Sequence, residues 1–536
     1  MFKMTCNFFF ILLILIGCAP ATPTLPPVST ASQSPSPTPA PQSPLLPWWR
    51  EAIFYEIFVR SFYDTDGNGI GDFNGITEKL DYLQELGINA IWLMPIHPSP
   101  TYHGYDVINY YAVNSEYGTI DEFKHLLEEA HNRGIRIIID LVLNHTSTQH
   151  PWFQDANANT ESKYRDYYIW SDTGRNRWYP GQNGFYFSYF CDCMADLNYS
   201  NPNVTVDILK MTDYWLNEIG VDGFRVDAAK HLIEEGDLLE NTPATHNWYK
   251  EFHNAYKEQN PEAYAIGEVF GAGASIVKSY TGDQLDQIFN FEMSTGFINS
   301  VNGGASSGVT SAIKFAQQDM PDFNFATFLT NHDQNRAMSV FNGEVGKAKA
   351  AATLLLTSPG TPFIYYGEEI GQQGRKPDED IRLPMQWSSE EHAGFTTGTP
   401  WRMPAEDYQQ VNVAIQDEDA DSLLNHYREL IRLRTENSAL SSGALALLET
   451  ANPGVFAVLR SSPDQTVLVM VNLKGTPISE YQLSLNEGLL ADGTVTPLSL
   501  LGTIEAIPVT ISGGKFSEYK PTDELLPYQS YVFQME

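Results

Sequence analysis

The sequence predicts an α/β fold: a (β/α)8 TIM barrel with a small domain inserted after strand three and a C-terminal antiparallel β domain. Three observations predict it. Eight short apolar, β-prone runs recur between residues 52 and 366, most of them separated by stretches with helical spacing. One gap in that ladder is much wider than the rest, and beyond residue 436 the pattern changes to short strands divided by turns. Continuous apolar strands alternating with helices belong to a parallel sheet covered on both faces, and eight of them close a barrel.

The first strand is residues 52–59. A helix follows over 76–86, with Ile76, Leu80, Leu83 and Leu86 on one side and Gly87 as its stop. Strand two is 88–96, helix two 120–133 ended by Gly134, and strand three 135–143. The remaining strands are 223–226, 264–267, 286–291, 325–329 and 361–366. The barrel therefore occupies 47–144 and 201–436, some 390 residues including the insert from Trp48 on, where such barrels need about 250. The excess falls at 145–200, which is rich in Tyr, Trp, Asn and Gly and reads as an irregular inserted domain. Residues 437–536 form the β domain, with strands at 455–459, 466–472 and in the tail to Gln534.

The N-terminus reads as an address. Lys3 is the only charge before Arg50, and Phe8 to Ile16 is an unbroken apolar run of nine residues. A membrane-spanning helix needs about 20, so residues 1–18 read as a secretory signal. It ends in Leu15-Ile16-Gly17-Cys18, which resembles a bacterial lipobox, with Cys18 as the lipidated first mature residue. Residues 19–46 are a Pro/Ser/Thr-rich tether, with nine Pro between Ala19 and Pro44. Such a stretch cannot bury a core. The sequence thus describes an exported bacterial lipoprotein, anchored to a membrane on the extracytoplasmic side. A formal net charge of −34 excludes a nucleic-acid partner, because the phosphate backbone would be repelled.

Carboxylates gather where strands end. Asp227 closes Gly223-Phe224-Arg225-Val226, Glu268 closes Ala265-Ile266-Gly267, and Asp333 follows Asn331-His332. Catalytic residues of such barrels come from the C-terminal ends of different strands, so the mouths of strands four, five and seven should bring these three together. A lone Asp at a strand end is more often a helix cap than a catalyst; several such segments in ladder order carry the weight. Residues i and i+2 of a strand share a face, so Arg225 should reach Asp227 and keep it ionised.

A second cluster is Asp64-Thr65-Asp66-Gly67-Asn68-Gly69-Ile70-Gly71-Asp72, with side-chain oxygens at alternating positions of a glycine-rich loop. Hard oxygens on a tight loop suit calcium. It is similar to an EF-hand loop without the closing Glu, since Gly75 stands at the twelfth position. Cys191 and Cys193 are the only thiols in the folded part; a pairing across one residue would be strained, so they are expected free or poorly paired. With no further ligands near them, no zinc site is expected.

Four segments resemble the α-amylase family of glycoside hydrolases: Asp140-Leu141-Val142-Leu143-Asn144-His145, Gly223 to Asp227, Gly267-Glu268-Val269 and Asn331-His332-Asp333. The resemblance implies Asp227 as nucleophile, Glu268 as general acid/base and Asp333 as transition-state stabiliser. It implies a sugar pocket lined by His103, Tyr105, Asp106, His145, Arg225, His332 and Arg336, with Lys230 and His231 on the leaving-group side. Calcium is implied at the Asp64–Asp72 loop, with Asp64, Asp66, Asn68, Asp72 and the Ile70 carbonyl as ligands, and Asn144 resembles a second calcium ligand. A retaining glycosidase needs one carboxylate and one carboxylic acid about 5–5.5 Å apart, so Glu268 is expected to have its pKa raised by its ionised neighbours.

Subgroup marks divide. Met194-Ala195-Asp196-Leu197-Asn198 resembles a segment intermediate between amylases and oligo-1,6-glucosidases or neopullulanases, with Ala195 where Pro is common. Asp380 to Trp387 and Gly394 to Gly398 look like the oligo-1,6-glucosidase side. Tyr102, where exo-acting relatives carry an acidic residue, looks like the amylase side. The reading is a retaining, endo-acting α-1,4-glucan hydrolase on starch and maltodextrins, with side α-1,6 or transfer activity. The alternatives are an oligo-1,6-glucosidase, α-glucosidase or neopullulanase-like enzyme and, from another class, an inactive glucan-binding surface lipoprotein.

Overall fold

The computed structural model describes residues 46–535; the signal, Cys18 and nearly all of the tether lie outside them. Eight parallel strands form one sheet: β1 (Phe54–Ile57), β2 (Ala90–Leu93), β3 (Arg136–Leu141), β4 (Gly223–Val226), β5 (Tyr264–Gly267), β6 (Gln287–Ile288), β7 (Ala326–Phe328) and β8 (Thr361–Tyr365). Neighbours in sequence pair in order, β8 pairs with β1, and a parallel bridge between Phe289 and Ala326 closes the ring between β6 and β7. All eight predicted strands are present.

The period of two along each strand builds the barrel in layers. Phe54, Trp92, Ile138, Tyr264, Ile266, Phe289, Phe328 and Phe363 fill the interior, with Phe54 and Phe363 stacked at 4.2 Å. Trp49 packs into the same interior cluster. The alternate residues, such as Tyr55, Ile57, Ile91, Ile137 and Ile139, face the surrounding helices. Continuing the interior parity along β1, β3 and β4 gives Glu56, Asp140 and Arg225, all buried. The apolar filling therefore ends in a charged layer at the carboxyl ends of the strands.

The helix expected over 76–86 is two helices, Phe73–Glu78 and Leu80–Leu86, broken at Lys79. Gly87 ends the second at φ 92°, where a Cβ would lie 2.5 Å from Ile431. Ile120–Asn132 opens with a capping box between Thr119 and Glu122.

The insert is more regular than its composition suggests. It holds a helix at Pro151–Ala158 and a three-stranded antiparallel sheet of Trp170–Ser171, Gly184–Phe187 and Trp178–Gly181. A short pairing of His145–Ser147 with Met194–Asp196 fastens its ends together. Its strands carry aromatics on both faces, which hides the two-residue period. Cys191 and Cys193 are disulfide-bonded with Cα atoms 5.3 Å apart, contrary to expectation: one intervening residue leaves room for an ordinary Cα separation.

C-terminal to the barrel, strands Ala444–Leu447, Val455–Ser461, Thr466–Asn472, Ser530–Gln534 and Leu498–Ser499 form one sheet. Val467, Val469, Val471 and Val532 share a core with the barrel's helical layer, while Leu468, Met470 and Phe533 face a second core within the β domain. No helix of the described residues is long and apolar enough to cross a membrane.

Candidate active site

The charged layer above the barrel interior is organised around one guanidinium. Arg225, 1% exposed, donates through Nη1 to Asp140 at 2.8 and 3.0 Å and to Asp227 at 2.8 Å. Its Nη2 donates to Glu268. The carboxyl groups after β4 and β5 thus share a single arginine. Burial pushes the Asp227 carboxyl up, and the Arg225 charge opposes that shift. Burial likewise takes Asp140 to about 7, against the pull of Arg225.

Asp333 reaches the same mouth from the loop after β7. Burial works against its ionisation, but the charges of His332 and Arg382 prevail and hold it below the usual carboxylate range. Arg382 Nη2 lies 3.0 Å from Asp333 Oδ1 and its Nε donates to the His332 carbonyl at 3.0 Å. His332 is itself clamped: Nδ1 sits 2.5 Å from Glu56 and Nε2 2.7 Å from the Tyr105 hydroxyl, which lies 3.2 Å from Asp140. Glu56, Asp333 and their charges raise the His332 pKa in spite of its burial. His145, buried beside Asp227, is pushed down to about 4 by desolvation and stays neutral. The Asp333 side chain is 47% exposed, so the pocket opens to solvent.

His103 packs against Tyr105, with ring centroids 6.0 Å apart. Lys230 pairs with Glu240 at 2.7 Å, and His231 lies against Tyr189 at 4.0 Å. Two expected sugar contacts sit elsewhere. Asp106 is fully buried and taken up by the hydroxyls of Ser99 and Thr101, so it pins the loop that carries Tyr105. Arg336, 2% exposed, donates to the carbonyls of Ile381 and Tyr366; it holds the segment on which Arg382 stands. Sequence reading missed Glu56 and Arg382. The second had a signal: a single cation inside the apolar run Ile381-Arg382-Leu383-Pro384-Met385.

Asp64, Asp66 and Asp72 bring carboxylate oxygens within 4.8 Å of one another. Asp64 also accepts from the amides of Asp66, Gly67 and Gly69, Asn68 accepts from Ile70, and Asp72 caps the helix that follows. The loop's shape is thus set by its own amides, with three acidic groups converging. At a second place Asn144 Nδ2 donates to Asp196 Oδ2 at 3.2 Å and to the His231 carbonyl at 2.6 Å, while its Oδ1 faces His145 Nδ1 at 3.1 Å. Asp196 is the insert residue that meets Asn144, a pairing the sequence did not identify. Burial and the adjacent Glu234 raise its pKa strongly.

Clustered carboxyl groups, two of them sharing a buried arginine, at the open end of a (β/α)8 barrel are the groups that glycoside hydrolysis requires, and a family match places the chain among glycoside hydrolases. Residues 56–443 match the family model described as the alpha amylase catalytic domain. The chain belongs to the α-amylase family. It is 42% identical over 437 residues to alpha-amylase 3 of Dictyoglomus thermophilum, covering 80% of this chain and 85% of that protein. It is 33% identical over 517 residues to an oligo-1,6-glucosidase of Parageobacillus thermoglucosidasius, covering 80% and 91%. The crystal structure of an alpha-amylase from H. orenii superposes with a TM-score of 0.80 at 38% identity, over 91% of this chain and all of that one.

Proposed function

We propose that this protein is a retaining, endo-acting α-1,4-glucan hydrolase. The observation that carries the proposal is the bridging of Asp227 and Glu268 by Arg225, with Asp333 at the same mouth. In the first step the Asp227 carboxylate attacks the anomeric carbon while the bond to the leaving oxygen breaks and Glu268 gives that oxygen its proton. The product is a glycosyl ester on Asp227 and a shortened chain. In the second step Glu268 takes a proton from water, the water oxygen bonds to the anomeric carbon, and Asp227 departs as a carboxylate. Two inversions leave the anomeric configuration unchanged. Arg225 opposes the upward shift that burial imposes on Asp227, and Arg382 keeps Asp333 charged to bind sugar hydroxyls as the oxocarbenium-like state forms.

Endo action is supported by Tyr102 at the position where exo-acting relatives carry an acid, and by the likeness to an alpha-amylase. The segment 380–387 and the likeness to an oligo-1,6-glucosidase favour a second reading, action on short α-1,6-linked sugars. A time course of products from amylose, pullulan and isomaltose separates them. Mixed oligosaccharides and a rapid loss of viscosity support the first; glucose from isomaltose with little attack on amylose supports the second.

Calcium at the Asp64–Asp72 loop and at Asn144 belongs to the same proposal. The converging carboxylates fit it at the first site. At the second, an Asn144 amide turned so that its oxygen, which here faces His145, points the other way would join Asp196 and the His231 carbonyl in an all-oxygen set suited to a hard cation. Bound there, calcium would tie the insert to the barrel loop carrying Lys230 and His231. We further propose export and lipid anchoring at Cys18, on the strength of the apolar run and the tetrapeptide ending in it. Cys18→Ala protein should then leave the membrane fraction.

A further inference from the structure

A cavity of about 550 Å³ lies where the insert faces the loop after β4, and none of the catalytic carboxyl groups lines it. Its walls include Arg175, Arg177, Trp178 and Phe187 from the insert and Glu234 and Asp237 from the barrel loop. The size is that of a site for a small ligand. Trp178 and Phe187 form an aromatic wall, their rings 5.6 Å apart. Arg175 lies 5.0 Å from the Trp178 ring and Arg177 3.7 Å from the Tyr189 ring. Among the described residues neither arginine, nor Asp237, has an ion-pair partner.

A wall of this kind selects chemistry. The aromatic faces favour a ligand with an apolar face, and the planar polar groups around them favour one with a hydroxyl rim. Guanidinium and carboxylate groups together in the lining disfavour a ligand of either single charge. A neutral polyhydroxylated chain meets each condition. The cavity is also close to the acceptor side of the catalytic pocket: Arg177 covers one ring, Tyr189, that lies tilted against His231 with centroids 4.0 Å apart.

We propose that this cavity is a second binding site for an α-glucan segment, next to the Tyr189–His231 contact and distinct from the catalytic carboxyl groups. It rests on the reading that the substrate is an α-glucan. Holding one stretch of a polymer there raises the effective concentration of neighbouring stretches at Asp227 and Glu268.

The test uses the full chain with catalysis disabled by Asp227→Asn, titrated with maltoheptaose. Two sites are expected, and Trp178→Ala or Arg175→Ala should weaken one of them about tenfold, the scale of a lost stacking contact. In the active enzyme, the ratio of kcat/KM on soluble starch to that on maltotriose should fall with the same variants. Arg175 is exposed, so its loss leaves the fold intact, and an unchanged melting temperature checks this. A single maltoheptaose site, with a starch-to-maltotriose ratio unmoved in both variants, overturns the proposal. Wild-type protein that turns over no α-glucan yet binds maltoheptaose through Trp178 would reject the proposed activity and keep this site.

Discussion

At the scale of single residues, a few buried ionisable groups carry the chemistry. Arg382 grips Asp333 from a segment far along the chain, at 3.0 Å. Arg382→Ala should lower kcat/KM on maltodextrins by about 10²-fold, the usual cost of removing a group that serves the transition state; steady-state kinetics with an unchanged melting temperature checks it. Asp227→Ala should remove at least about 10⁴-fold of kcat, since its loss removes the covalent step. Glu368 bears on stability. It is buried after β8, accepts from Tyr427 at 2.9 Å, and burial lifts its pKa to about 8. The unfolded chain ionises this group near 4.5. Its contribution to stability is therefore full below that value and is lost as pH rises towards 8. Glu368→Gln lacks this loss, so its melting temperature relative to wild type should climb from pH 5 to 8 and level off above. A difference that stays flat across that range would refute the assignment.

At the scale of elements, the strands were the most legible feature, because a buried parallel strand is a run of apolar residues whatever surrounds it. The three carboxylates were legible as well, since each stands at the end of such a run. Glu56 was not: its neighbours in β1 give no sign that the interior turns polar at its upper layer, and its partner His332 is 276 residues away. Asp196 was hidden in the same way, because its meeting with Asn144 is decided by how the insert folds back. The Asp64–Asp72 loop joins β1 to its helix and touches Thr396 through Asp64. If calcium holds these loops, a chelator should lower the melting temperature by at least about 3 °C. Calorimetry with and without chelator measures this, and an unmoved transition would argue against both sites.

At the scale of the whole molecule, barrel and C-terminal sheet share one core. Arg460, fully buried, ties the sheet to the carbonyls of Thr357 and Gly443, and Arg434 binds those of Leu356 and Ser358. Removing the sheet would strip Val467, Val469 and Val532 from that core and leave buried carbonyls without partners. Residues 46–535 should therefore unfold in one calorimetric transition, and a chain cut after Ser441 should aggregate; two separated transitions would contradict this. The net charge of −34 is no obstacle to a neutral glucan. The catalytic expectations depend on Asp227 and Glu268 working as a pair in two displacements. Proton NMR in the first minutes of maltopentaose hydrolysis reads this directly. The new reducing end should appear first as the α-anomer, whereas initial release of the β-anomer would show a single displacement and contradict the assignment of Asp227 as nucleophile.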